Sequence, residues 1–156
     1  MSPRFNEMEE VARTYCNLIE NVREINAQWL QDLAALLPKL HATVASLGRP
    51  ITITTHTLMP DMDARFDMYA KLHRLLGEKD GYWMEFDVAH DGQSMTGSLA
   101  DDLTDIYCEL KQGLKLLENE PKRVFDDWIN GYRVHWGQHL IDAERHLYTL
   151  GTRNKF

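Results

Sequence analysis

Cysteine is scarce in this chain, with two among 156 residues. Cys16 and Cys108 stand alone, outside any CxxC or other spaced ligand set, which argues against a thiolate metal module or a disulfide scaffold. Two unpaired thiols suit a reducing cytoplasm. Long apolar runs are also lacking. The longest resemble LAALL at residues 33–37, far short of the roughly 20 residues that span a bilayer. The opening MSPRFNEMEEVARTY has neither the basic start nor the apolar middle of a signal peptide. Positive charge is in deficit: 17 Lys and Arg face 24 Asp and Glu, a net charge of −7. A nucleic-acid-binding face is therefore not expected, because phosphate neutralisation needs clustered cations. A protein partner with a basic surface is the complementary expectation. There is no Gly-rich phosphate loop, no G-x-S-x-G elbow and no HExxH.

What is present is a globular balance, 44% hydrophobic and 26% charged, in a length that fits one domain over residues 1–156. Apolar residues recur at helical spacing along most of it. The pattern predicts a first helix over about Asn6 to Asn21 and a second over about Ile25 to Leu47, where Pro38 is expected to kink or split the run. RPITITTHTLMP, Arg49 to Pro60, reads as an extended crossover. A third helix is expected from Met62 to Leu76, between Asp61 and Gly77. Around residues 80–90, Tyr82, Met84, Phe86 and Val88 alternate with polar residues and Trp83, predicting a strand or short hairpin; an aromatic exposed there would suggest a contact site. Ser98 caps a fourth helix, with Asp101 three residues on. A fifth begins at Pro121 and runs to about Leu150, the longest element. The fold class that results is all-α, an antiparallel bundle of about five helices with a short β segment.

Four runs carry a family resemblance: YCNLIE (Tyr15 to Glu20), LLGEKDGY (Leu75 to Tyr82), SLADDLTDIYCELK (Ser98 to Lys111) and HWGQHL (His135 to Leu140). They resemble a bacterial family of small acidic helical proteins known only as a domain of unknown function. The resemblance brings no established activity and no catalytic or ligand residue. It implies that the Trp136–Gly137–Gln138 step is the family's signature. A tyrosine commonly stands at the place of His135 and a lysine at that of His139, which implies that a histidine metal site is not the family's shared function.

The stretch YRVHWGQHLIDAERHL, Tyr132 to Leu147, nevertheless holds three of the chain's seven histidines. On a helical wheel His135, His139 and His146 fall within about 40° of one another, at the edge of the apolar stripe of Trp128, Tyr132 and Trp136. Histidines at i and i+4 can reach one ion. Asp102, Asp105 and Glu109 share an arc of about 60° on the fourth helix and can supply carboxylates. The candidate divalent-metal set is thus His135, His139, Asp102, Asp105 and Glu109, without the Glu-x-x-His pairs of carboxylate-bridged bundles. The simpler reading is a bundle helix whose histidines lie at the core boundary, with the acids Asp101, Asp102, Asp105 and Glu109 forming a solvated ridge or a docking surface. On the opposite side, Val134, Ile141 and Tyr148 recur every seven residues as a second apolar seam, which predicts packing of a partner helix, including a homodimer. The first functional expectation is a non-enzymatic interaction or regulatory module; the alternative is a metal-binding bundle or metal-dependent enzyme.

Overall fold

The computed structural model describes residues 2–50, 61–85 and 94–156. It has α1 (Pro3–Asn21), α2 (Ala27–Ser46), α3 (Met62–Leu76), a single 3-10 turn (Gly77–Lys79), strands β1 (Gly81–Glu85) and β2 (Ser94–Ser98), α4 (Leu99–Leu116), α5 (Pro121–Gly131), a π turn (Tyr132–Trp136) and α6 (Gly137–Thr152). The helical bundle with a small antiparallel sheet is the fold class the sequence predicts. The crossover expected over residues 49–60 lies largely outside the described residues, as do Phe86 and Val88.

Local chemistry sets the helix starts. Asn26 accepts the Trp29 amide at 2.9 Å, Asp61 accepts those of Asp63 and Ala64 at 3.0 and 3.2 Å, and Ser98 accepts that of Asp101 at 3.2 Å. Each satisfies donors that a helix N-terminus leaves open. α3 ends at Gly77, whose φ of 55° lies in the region that favours glycine. Pro38 does not split α2, which stays one helix across it; the apolar face Leu30, Leu33, Leu37, Leu40 and Val44 is buried on both sides of the proline and outweighs one lost hydrogen bond.

α4 is the hub, packing against α1, α3, α5 and α6. Its buried face, Leu99, Leu103, Ile106 and Leu110, meets Met8, Tyr15 and Ile19 of α1 and Trp128, Trp136, Leu140 and Leu147 of the C-terminal arm in one core. Two buried polar side chains are satisfied by α4 carbonyls: the Tyr15 hydroxyl donates to Leu103 at 2.7 Å and the Trp128 indole to Glu109 at 3.2 Å. The hairpin is clamped to the start of α4 through Asp80. This buried carboxylate accepts from the Ser98 hydroxyl and, at 2.7 Å, from the Ala100 amide. Its carbonyl accepts the Leu99 amide at 2.9 Å. β1 and β2 pair antiparallel from Gly81↔Ser98 to Glu85↔Ser94.

The last predicted helix is corrected in one respect. It is not α-helical throughout, because the chain widens into a π turn at Tyr132–Trp136, where the Gly137 amide donates to the Tyr132 carbonyl five residues back. A side-chain carbon at Gly137 would lie 2.3 Å from that carbonyl oxygen, so the turn requires glycine there. π turns of this kind gather at functional sites, and this one carries His135.

Candidate metal centre

Asp102, Asp105 and Glu109 follow one another at i, i+3 and i+7 on α4, so they share a face. His135, in the π turn, and His139, in the first turn of α6, rise opposite that face. Their rings meet edge to face with centroids 5.1 Å apart. All five sequence-predicted residues converge.

They take two different roles. His139 donates from Nδ1 to Asp102 at 2.8 Å, and His135 donates from Nδ1 to Glu109 at 3.1 Å. Both of these carboxylates are buried, at 3% and 4% exposure. The two Nε2 atoms turn instead toward a single oxygen, Asp105 Oδ2, at 3.0 Å from His139 and 3.9 Å from His135. Ligand atoms of Asp105, His135 and His139 can all lie within 4.8 Å of one another. Two ligand atoms about 2.1 Å from a shared ion, at octahedral to tetrahedral angles, stand roughly 3.0–3.4 Å apart. The Nε2 atoms and Asp105 are thus within a small side-chain adjustment of an ion's first shell, with Asp102 and Glu109 placed as the outer carboxylates that orient metal-bound imidazoles.

Two further groups complete the site, and the sequence offered no signal for either. Arg65 of α3 donates to Asp105 Oδ1 at 2.9 Å and to Asp101 at 2.8 Å, occupying the side of Asp105 away from the histidines. Tyr82 of β1 donates its hydroxyl to Asp102 in a short hydrogen bond. These contacts overturn the reading of the α4 acids as a solvated ridge, because Asp102 and Glu109 are buried and Asp101 and Asp105 are paired with Arg65. His146, the third histidine of its stretch, does not join the cluster. It donates from Nε2 to the Lys79 carbonyl at 2.6 Å and packs on the Tyr82 ring.

The electrostatics follow from burial opposed by pairing. Burial disfavours a charged His139, but its hydrogen bonds to Asp102 and Asp105 outweigh that and lift its pKa to about 10. Burial raises the Asp102 carboxyl to about 6, despite hydrogen bonds from His139 and Tyr82 that favour its charged form. Burial also works against a charged Asp105, yet His139 and Arg65 hold it below the usual carboxylate range. With neutral imidazoles, four carboxylates face one guanidinium, a surplus of negative charge that favours a bound cation.

The fold and this site define a helical-bundle protein with a histidine–carboxylate cluster between its hub helix and its C-terminal arm. The chain belongs to the family described as Domain of unknown function (DUF5063), whose family model matches residues 1–153. Its fold is similar to the crystal structure of protein BF1032 from Bacteroides fragilis, with a TM-score of 0.77 at 19% identity over 96% of this chain and 92% of that one. No curated protein matches the chain. Among the described residues, no helix is long and apolar enough to cross a membrane.

Proposed function

We propose that this protein binds a divalent transition metal through Asp105, His135 and His139. The observation that carries the reading is the division of nitrogen roles. Both Nδ1 atoms are hydrogen-bonded to buried carboxylates, while both Nε2 atoms face the same oxygen. Two histidines and one carboxylate suit Zn(II) or Fe(II) and leave coordination positions for water or a small ligand. Binding displaces the proton that His139 otherwise holds between Asp102 and Asp105. Because the family resemblance implies other residues at the two histidine positions, the metal is a property of this chain and of relatives that share the pair. Metal analysis of protein purified without an affinity tag, followed by melting with added Zn, Mn, Fe or Ni, tests it. The expected result is about one metal per chain and a melting temperature raised by several degrees or more, as mass action requires for tight binding. Both effects disappear in the His135→Gln/His139→Gln variant. No retained metal and no shift with any of the four ions would sink the reading.

A second reading, an interaction module, draws on the outer side of the arm. Val134, Ile141 and Tyr148 are 71%, 45% and 71% exposed, an apolar line of the kind that partner helices cover. A second copy of this chain is the partner proposed for it, in a cytoplasmic setting consistent with two free thiols.

A further inference from the structure

A cleft of about 1000 Å³ opens between the Gly77–Lys79 turn, β1 and the last turns of α6, a size that suits a small-molecule site. One wall is aromatic and fixed: the Tyr82 ring packs on His146 with centroids 4.8 Å apart, and the His146 bond to the Lys79 carbonyl holds that pair in place. Trp83 also lines the cleft and is 76% exposed, whereas Trp29, Trp128 and Trp136 are buried. The rim is cationic. In a chain of net charge −7, Lys79, Arg145, Arg153 and Lys155 line this one cleft, with Glu78 the only acid among its lining residues. Arg145 is engaged by Asp142 at 2.6 Å. Lys79, Arg153 and Lys155 make no ion pair among the described residues.

The negative end of α6 does not cancel this field. The Leu150 and Gly151 carbonyls are taken by the amides of Lys155 at 2.8 Å and Asn154 at 3.2 Å, with Asn154 at φ 55° in a Schellman-type turn. The same turn folds Phe156 back beside Gly151, onto the cleft wall. Flat aromatic surface beside uncompensated cations is the chemistry that holds a ring with an attached phosphate.

We propose that this cleft binds a small phosphorylated ligand with a flat aromatic ring, of the nucleoside monophosphate class. Lys79, Arg153 and Lys155 take the phosphate and Trp83 stacks on the ring. The proposal does not rest on the metal reading, although the two sites share Tyr82. Calorimetric titration of the full chain with AMP, GMP, CMP and UMP tests it, with adenosine and inorganic phosphate as separate arms. At least one monophosphate binds about tenfold tighter than either arm, because ring and anion are both recognised. Trp83→Ala and the Arg153→Gln/Lys155→Gln pair each weaken binding about fivefold or more, with melting temperatures unchanged because these side chains are exposed or on the rim. Failure of all four monophosphates to bind, binding no tighter than phosphate alone, or binding that survives both variants overturns the proposal.

Discussion

His139 makes the sharpest single-residue case. In metal-free protein its imidazolium is held between Asp102 and Asp105, with a pKa raised from 6.5 to about 10. The unfolded chain gives up that proton near 6.5 and the folded chain keeps it, so the stabilisation is fully present below 6.5 and is lost as pH rises through about 10. We expect the urea midpoint of chelator-treated protein to fall between pH 7 and 10, and His139→Gln to flatten that fall. Equal slopes for the two proteins would refute the assignment. Asp102 runs the other way within its own window: raised from 3.8 to about 6, it makes its contribution below 3.8 and loses it as pH climbs through 6. The five clustered residues were legible in sequence because histidine spacing and carboxylate spacing each obey the helical period. Arg65 and Tyr82 were not, since each meets its acids across a chain separation that only packing closes.

At the scale of elements, the π turn is the feature that positions the histidines. It depends on Gly137, where an added Cβ would meet the Tyr132 carbonyl at 2.3 Å and the Tyr132 ring at 3.0 Å. The first of these is backbone and cannot swing away. Gly137→Ala is therefore expected to cost about 2 kcal/mol or more, the upper part of the overpacking range, and to weaken metal retention along with it. A denaturation midpoint unchanged from wild type would remove the strain argument. Periodicity located this arm but not its widening, because the apolar stripe Val124, Trp128 and Trp136 is buried before the turn and at its end alike. The capped starts of α3 and α4 were readable because Asp61 and Ser98 act within their own first turns. The hairpin was readable only as a strand signal, since its second strand, SMTGS, carries little hydrophobic alternation.

For the whole molecule, the question is what covers the arm's outer seam. Size-exclusion chromatography with light scattering at micromolar concentration should give the mass of two chains, and Ile141→Lys with Tyr148→Glu should return it to one. A wild-type mass of one chain would exclude the homodimer. The fold as a whole was legible because a bundle is specified by apolar stripes and loop breaks. Its retention beside BF1032 at 19% identity fits a core that needs pattern and volume more than particular side chains. The site was less legible because it also depends on how α3 and β1 lie against α4, which no local pattern states.

The widened turn has a genealogical consequence. Relative to a plain α-helix, a π turn amounts to one inserted residue, and one residue rotates everything beyond it by about 100°. A homologue without the insertion would carry its counterparts of Gly137 to Thr152 on a different side of the arm, even where every letter matched. Aligned column by column, such a sequence would look like a fellow metal binder while its second imidazole faced elsewhere. Within DUF5063, the presence or absence of a single gap between Tyr132 and Gly137 thus decides which relatives can build this cluster, before the identity of any residue at 135 or 139 is considered.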